Sequence, residues 1–172
     1  MQLTAAVALV IVAIGVPAAR SAAQGSQATA QPQVSGLVLR GLDGKERTIS
    51  PADLARLTRH DTTVSAHHVS GRYSGVALTD LLALAGAPPS DSLRGQTLTT
   101  YVLVEAADGY RVIFSLAELD GGFTDRVVLL ADRVNGHPLP ASEGPFRLIV
   151  PGEKRPARWA RQVVRISLGR VN

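Results

Sequence analysis

No cysteine occurs among the 172 residues of this chain. Disulfide cross-links are therefore excluded, and the fold must be held by its core alone. Aromatic residues make up only 4%, with a single tryptophan. That leaves too few stacking side chains for a nucleic-acid surface. No apolar run approaches the ~20 residues a helix needs to cross a bilayer. The longest, AAVALVIVAIGV at residues 5–16, has twelve. Internal repeats, heptads, a GxSxG nucleophile elbow and close metal-ligand spacings are likewise missing, so no catalytic or metal-ligating set can be assigned. Acid is scarce in one place. From Arg147 to Arg170, seven cationic residues stand against Glu153.

The twelve-residue apolar run is followed by Pro17 and by Ser21-Ala22-Ala23. This is the layout of a secretory signal peptide cleaved after Ala23, although its first residues, MQLT, lack the usual positive charge. The alternative, a buried or interfacial helix, finds no amphipathic period to support it. Residues 24–33 are small and polar and read as a flexible segment. Residues 34–172 are long enough for one domain with a real core. The expected location is periplasmic or secreted, with no stable membrane span after cleavage.

Within that domain, short apolar pieces flank Gly41-Leu42-Asp43-Gly44 and suggest a hairpin. Ser50, Pro51 and Asp53 mark a helix start, with Asp53 placed to close a capping box. Thr62–Val69 reads as one strand ending at Ser70-Gly71. Leu78, Leu81, Leu82 and Ala85 recur at helical intervals before Gly86. Asp108-Gly109 and Asn135-Gly136 are tight turns, and Ser115 with Glu118 forms a second capping box. Strands are expected at 99–106, 110–114, 127–132, 146–150 and 163–168. Strands outnumber helices and do not alternate regularly with them, which predicts an α+β fold of mixed β-sheets with short helices.

The basic C-terminal quarter is either an anion surface or a solvated strand face with scattered arginines. His67 and His68 are adjacent on the expected strand, so their side chains would point to opposite faces. His60, His67 or His68 with Asp61 could hold zinc or copper, but the spacing favours surface or hydrogen-bonding histidines. Ser65 near His67 has no orienting acid. Asp80 and Glu118 sit in first helical turns, where carboxylates suit the dipole. Gly121-Gly122 lacks the flanking pattern of a phosphate cradle.

Five phrases stand in a telling order: SGVALTDLLALAG from 74, YVLVEAADGYRVIFSLAEL from 101, VVLLADRVNG from 127, GPFRLIVPG from 144 and RWARQVVRI from 158. Together they resemble the oxidoreductase molybdopterin-binding domain, the fold of sulfite oxidases and periplasmic methionine-sulfoxide reductases, over roughly residues 34–168. In that family a cysteine thiolate ligates molybdenum, and the matching stretch here is TTVSAHHVS at 62–70. A serine hydroxyl or an imidazole is no substitute for a thiolate on a soft metal. The resemblance further implies export of a folded, loaded enzyme through a twin-arginine signal, and no twin arginine precedes the apolar run. The expectation is therefore a family member without molybdenum redox chemistry, which leaves enzyme activity open and leans against it. Its cofactor would be a molybdopterin or pterin-like ligand without the metal. The family's cofactor is an anion, and the matching loop, PGEKRPARW at 151–159, brings Lys154, Arg155 and Arg158. With Arg147 for charge and His67 or His68 for polar contacts, these are the expected ligand-binding residues. Trp159 either lines the pocket or belongs to the core. The expected partners are a small anionic ligand or an exported protein. The other readings are a molybdopterin-dependent oxidoreductase with non-cysteine ligation and an adaptor domain without a small ligand.

Overall fold

The structure is a computed structural model describing residues 36–171. The expected leader at 1–23 and the polar segment at 24–33 lie outside the described residues.

Two sheets organise the domain. The first contains β1 (Leu37–Arg40), β2 (Glu46–Ile49), β5 (Thr100–Ala106), β6 (Arg111–Ser115) and β10 (Val163–Arg170), in the order β2-β1-β10-β5-β6. β1 lies parallel to β10 and the other pairings are antiparallel, so the sheet is mixed as expected. The second sheet runs β3 (Arg59–Ala66), β4 (Val69–Ala77), β7 (Leu129–Val134) and β8 (His137–Pro138). β9 (Arg147–Ile149) pairs with the first half of β7, beside β8. Two short helices, α1 (Pro51–Leu54) and α2 (Leu78–Leu84), complete the α+β arrangement, which is mostly β.

Local chemistry explains these elements. Burial alternates residue by residue along β5 and β6, which is how a strand with one buried face must read. β9 has no such alternation because all three of its residues are buried. α1 carries the expected capping box: the Ser50 hydroxyl accepts from the Asp53 amide, and the Asp53 carboxylate accepts from the Ser50 amide. α2 buries Leu78, Leu81 and Leu82 completely or nearly so. At ~1.5–3 kcal/mol for each buried leucine, packing rather than propensity holds this two-turn helix. Gly86, with φ of 74°, ends it. Trp159 is buried in the core cluster with Ile166 and Leu148, which settles its role in favour of the core.

One element departs from expectation. Thr62–Val69 is not a single strand, because the chain reverses at His67-His68 between paired Ala66 and Val69. His67 adopts a φ of 52°, a left-handed conformation that histidine reaches more readily than most residues. Without glycine or asparagine at the turn, β-branched neighbours make this hairpin look like continuous strand. The two imidazoles thus sit at an exposed hairpin tip rather than on opposite faces of a strand. Ser70-Gly71, expected to end that strand, instead lies near the start of β4, and Tyr73-Ser74-Gly75 forms its middle. There a bulge at Ser74/Gly75 lets the backbone of β7 approach so closely that a Cβ on Gly75 would lie 2.2 Å from the Leu130 carbonyl oxygen.

Candidate functional site

The loop after β9 carries the charges that the sequence nominates. Pro151, Gly152 (φ 81°) and a single turn at Pro156–Arg158 shape it. The Tyr110 hydroxyl donates to the Ala157 carbonyl at 2.6 Å and ties the loop to the first sheet. Arg158 is the anchor. Its Nε donates to Glu153 at 2.7 Å, its Nη1 reaches Glu118 at 3.2 Å, and its guanidinium carbon lies 4.3 Å from the Phe114 ring centroid. Burial alone would lower the Arg158 pKa, but hydrogen bonds to Glu153 and Glu118 outweigh it and raise the value. Its charge is therefore committed to two carboxylates. Lys154 and Arg155 are exposed on the same loop and have no ion-pair partner among the described residues.

The other nominated residues stand elsewhere. Arg147 is only 4% exposed; its Nη1 lies 2.6 Å from Glu143 and 3.3 Å from the Tyr73 hydroxyl. Its guanidinium carbon is also 5.6 Å from the Tyr73 ring centroid, so Arg147 is a core residue with its charge already matched. Burial pushes the Tyr73 phenol above its ordinary value, with the Arg147 charge opposing. His67 and His68 are farther still. Ile149, just before the basic loop, is level with Leu129, and Leu129 is level with Ala77 at the end of β4. The histidine tip precedes Val69 at the other end of that strand, roughly 26 Å away at ~3.3 Å per residue. The structure joins Lys154, Arg155 and Arg158 in one loop and does not bring His67, His68 or Arg147 to them.

A cavity of about 270 Å³ opens beside Arg158's partners. α2 contributes Thr79 and Asp80, β3 contributes His60, and the loop before β7 contributes Thr124, Asp125 and Arg126. Arg126 links this cavity to the basic loop, since its Nη2 lies 3.7 Å from Glu118. Arg126 and its loop carry no motif that periodicity or spacing could reveal. A larger depression of about 570 Å³ lies at the β1–β2 turn, where Asp43 and Lys45 pair with each other.

The oxidoreductase molybdopterin-binding domain family matches this chain over residues 26–171. The chain belongs to that family. Among solved structures, the sulfane dehydrogenase SoxCD from Paracoccus pantotrophus is similar, with a TM-score of 0.59 and 24% identity. The likeness covers 78% of this chain but only 38% of that one, and at this identity it shows the fold alone. No curated protein matches.

The family name implies a molybdenum–pterin cofactor, and the donor set can be tested against it. The chain has no thiolate to offer, because it has no cysteine. Among the described residues no three histidine, aspartate or glutamate side chains converge as a metal site. These residues do not fit molybdenum. The anionic part of a pterin ligand asks only for cationic hydrogen-bond donors, a requirement that the exposed Lys154 and Arg155 fit.

Proposed function

We propose that this chain is an exported member of the molybdopterin-binding oxidoreductase family that works without molybdenum redox chemistry and binds a pterin-like or other small anionic ligand. The absence of cysteine carries this reading, because thiolate ligation is the one contribution that no other side chain here replaces. Export rests on the apolar run at 5–16 and the small residues after it. Lys154 and Arg155 are the ligand-facing cations. Arg158, fixed by Glu153, Glu118 and Phe114, acts as a positioning residue that holds their loop in shape.

The experiment is elemental analysis with pterin fluorescence on protein recovered from the periplasm or medium of its native host. Pterin without molybdenum supports the reading. Molybdenum near one atom per chain overturns it and restores a redox enzyme with non-cysteine ligation. A pterin-loaded protein should lose its ligand on Lys154→Ala/Arg155→Ala substitution, while the variant keeps the thermal midpoint of the ligand-free parent. Finding neither pterin nor metal, with no thermal shift on added inorganic phosphate or pterin, overturns the ligand and favours an adaptor. Ile113, 55% exposed on edge strand β6, is the observation on that side.

A further inference from the structure

The cavity beside α2 has a character different from the basic loop, because it is lined by a half-buried carboxylate without a partner among the described residues and by an arginine held through one long ion pair. The two helical turns that begin with serine consume their acids in capping boxes: Asp53 binds the Ser50 amide, and Glu118 binds the Ser115 amide at 3.0 Å. α2 begins with Ala77 at the same position, so no side-chain cap forms. Asp80 is left half-buried, without a hydrogen bond or ion pair among the described residues. Across the cavity Arg126 is similarly underused. Its Nε is buried without an acceptor, and its contact with Glu118 at 3.7 Å is longer than a hydrogen bond. A half-buried carboxylate left unmatched costs stability that a ligand cation would recover, and the 26% of the Arg126 side chain that stays exposed is what a ligand carboxylate can meet.

The remaining wall is mostly apolar or hydroxylic, with Leu78, Val128 and Thr79 among its residues, and also carries His60 and Asp125. About 270 Å³ lies just below the ~300–1,000 Å³ common for drug-sized ligands, which sets the scale at a single small molecule. Opposite charges facing one small space select a zwitterion over a simple anion. We infer that this cavity binds a free amino acid or a close analogue, its carboxylate on Arg126 and its ammonium on Asp80, with Asp125 at the rim. The cavity shares Glu118 with the anion-binding loop through Arg126, but the inference does not depend on the proposal made for that loop.

The test is calorimetric titration and thermal-shift measurement of the whole chain with the twenty L-amino acids, each paired with its amine and its carboxylic acid lacking the other charge. Saturable binding of at least one amino acid is expected, with each single-charge analogue weaker by about tenfold or more. Asp80→Asn should weaken binding by a similar factor without unfolding the protein, since Asp80 makes no internal bond among the described residues. Arg126→Gln should weaken binding by a similar factor. Failure of every amino acid to bind folded protein at millimolar concentration overturns the inference. So does a carboxylic acid that binds as tightly as its amino acid, or an Asp80→Asn variant with unchanged affinity.

Discussion

Glu143→Gln should leave a buried charge stranded beside the second sheet. Arg147 is almost wholly buried, and its carboxylate partner lies 2.6 Å away. Losing one member of a buried ion pair leaves an uncompensated charge, at a cost of ~3–5 kcal/mol. Glu143 keeps 24% of its side chain exposed, so water compensates in part, and ~2–3 kcal/mol is the reasoned figure. The Tyr73 hydroxyl and ring remain as weak partners and cannot replace a carboxylate. In urea, with a slope of ~2 kcal/mol per molar, the midpoint should fall by about 1 M at unchanged slope. The decisive comparison is Glu143→Gln/Arg147→Met, in which both charges go and a flexible apolar chain fills the site. It should recover at least ~1 kcal/mol relative to Glu143→Gln alone, because the stranded charge is removed. A Glu143→Gln cost below ~0.5 kcal/mol, or a double variant weaker than either single one, would refute the assignment of Arg147 to the core.

Three further outcomes are expected. Ser50→Ala should cost about 1 kcal/mol in chemical denaturation, since it removes the acceptor for the Asp53 amide. Gly75→Ala should cost about 3 kcal/mol or more, or abolish soluble protein, because its Cβ would meet the β7 backbone; normal stability would contradict the close approach. The Ser74 hydroxyl and then Arg72 hold the Asp61 carboxyl below its ordinary value, and the Ser50 amide and hydroxyl do the same for Asp53. Their folded pKa values lie below the unfolded ones, so both stabilise the fold above about pH 4 and lose that effect as pH falls through the lowered values. Midpoints measured from pH 7 to 2 should therefore drop below about pH 4, and Asp61→Asn should make the drop shallower.

Much of the fold was legible because local signals and tertiary placement agree. The Ser50/Asp53 and Ser115/Glu118 boxes, the Asp108-Gly109 and Asn135-Gly136 turns, and the leucine spacing of α2 each state a conformation in a few adjacent residues. The hairpin at His67-His68 failed to announce itself because the residue with positive φ is not glycine or asparagine. Its register was set instead by pairing along the whole of β3 and β4, from Ala66↔Val69 to Arg59↔Val76. Boundaries near β7 slipped for a related reason. Val127 and Val128 continue the apolar run, yet pairing with β4 begins at Leu129.

The site was less legible because charge counted along a sequence is not charge available in space. The segment from Arg147 to Arg170 contains one acid, but its arginines find others outside it. Arg147 pairs with Glu143, Arg158 with Glu118, and Arg165 with Glu46 and Glu105. Only folding brings Glu118 to Arg158 across forty residues of chain. What survives without an ion pair among the described residues is therefore a remainder, Lys154 and Arg155 in the loop with Arg161 and Arg170 beyond it, and no window count isolates it. The converse holds for Asp80. It looks like Asp53 and Glu118, an acid in a first helical turn, but the residue three places earlier is alanine instead of serine. A capping box needs both members, so the same position that silences two carboxylates leaves the third free to face a ligand.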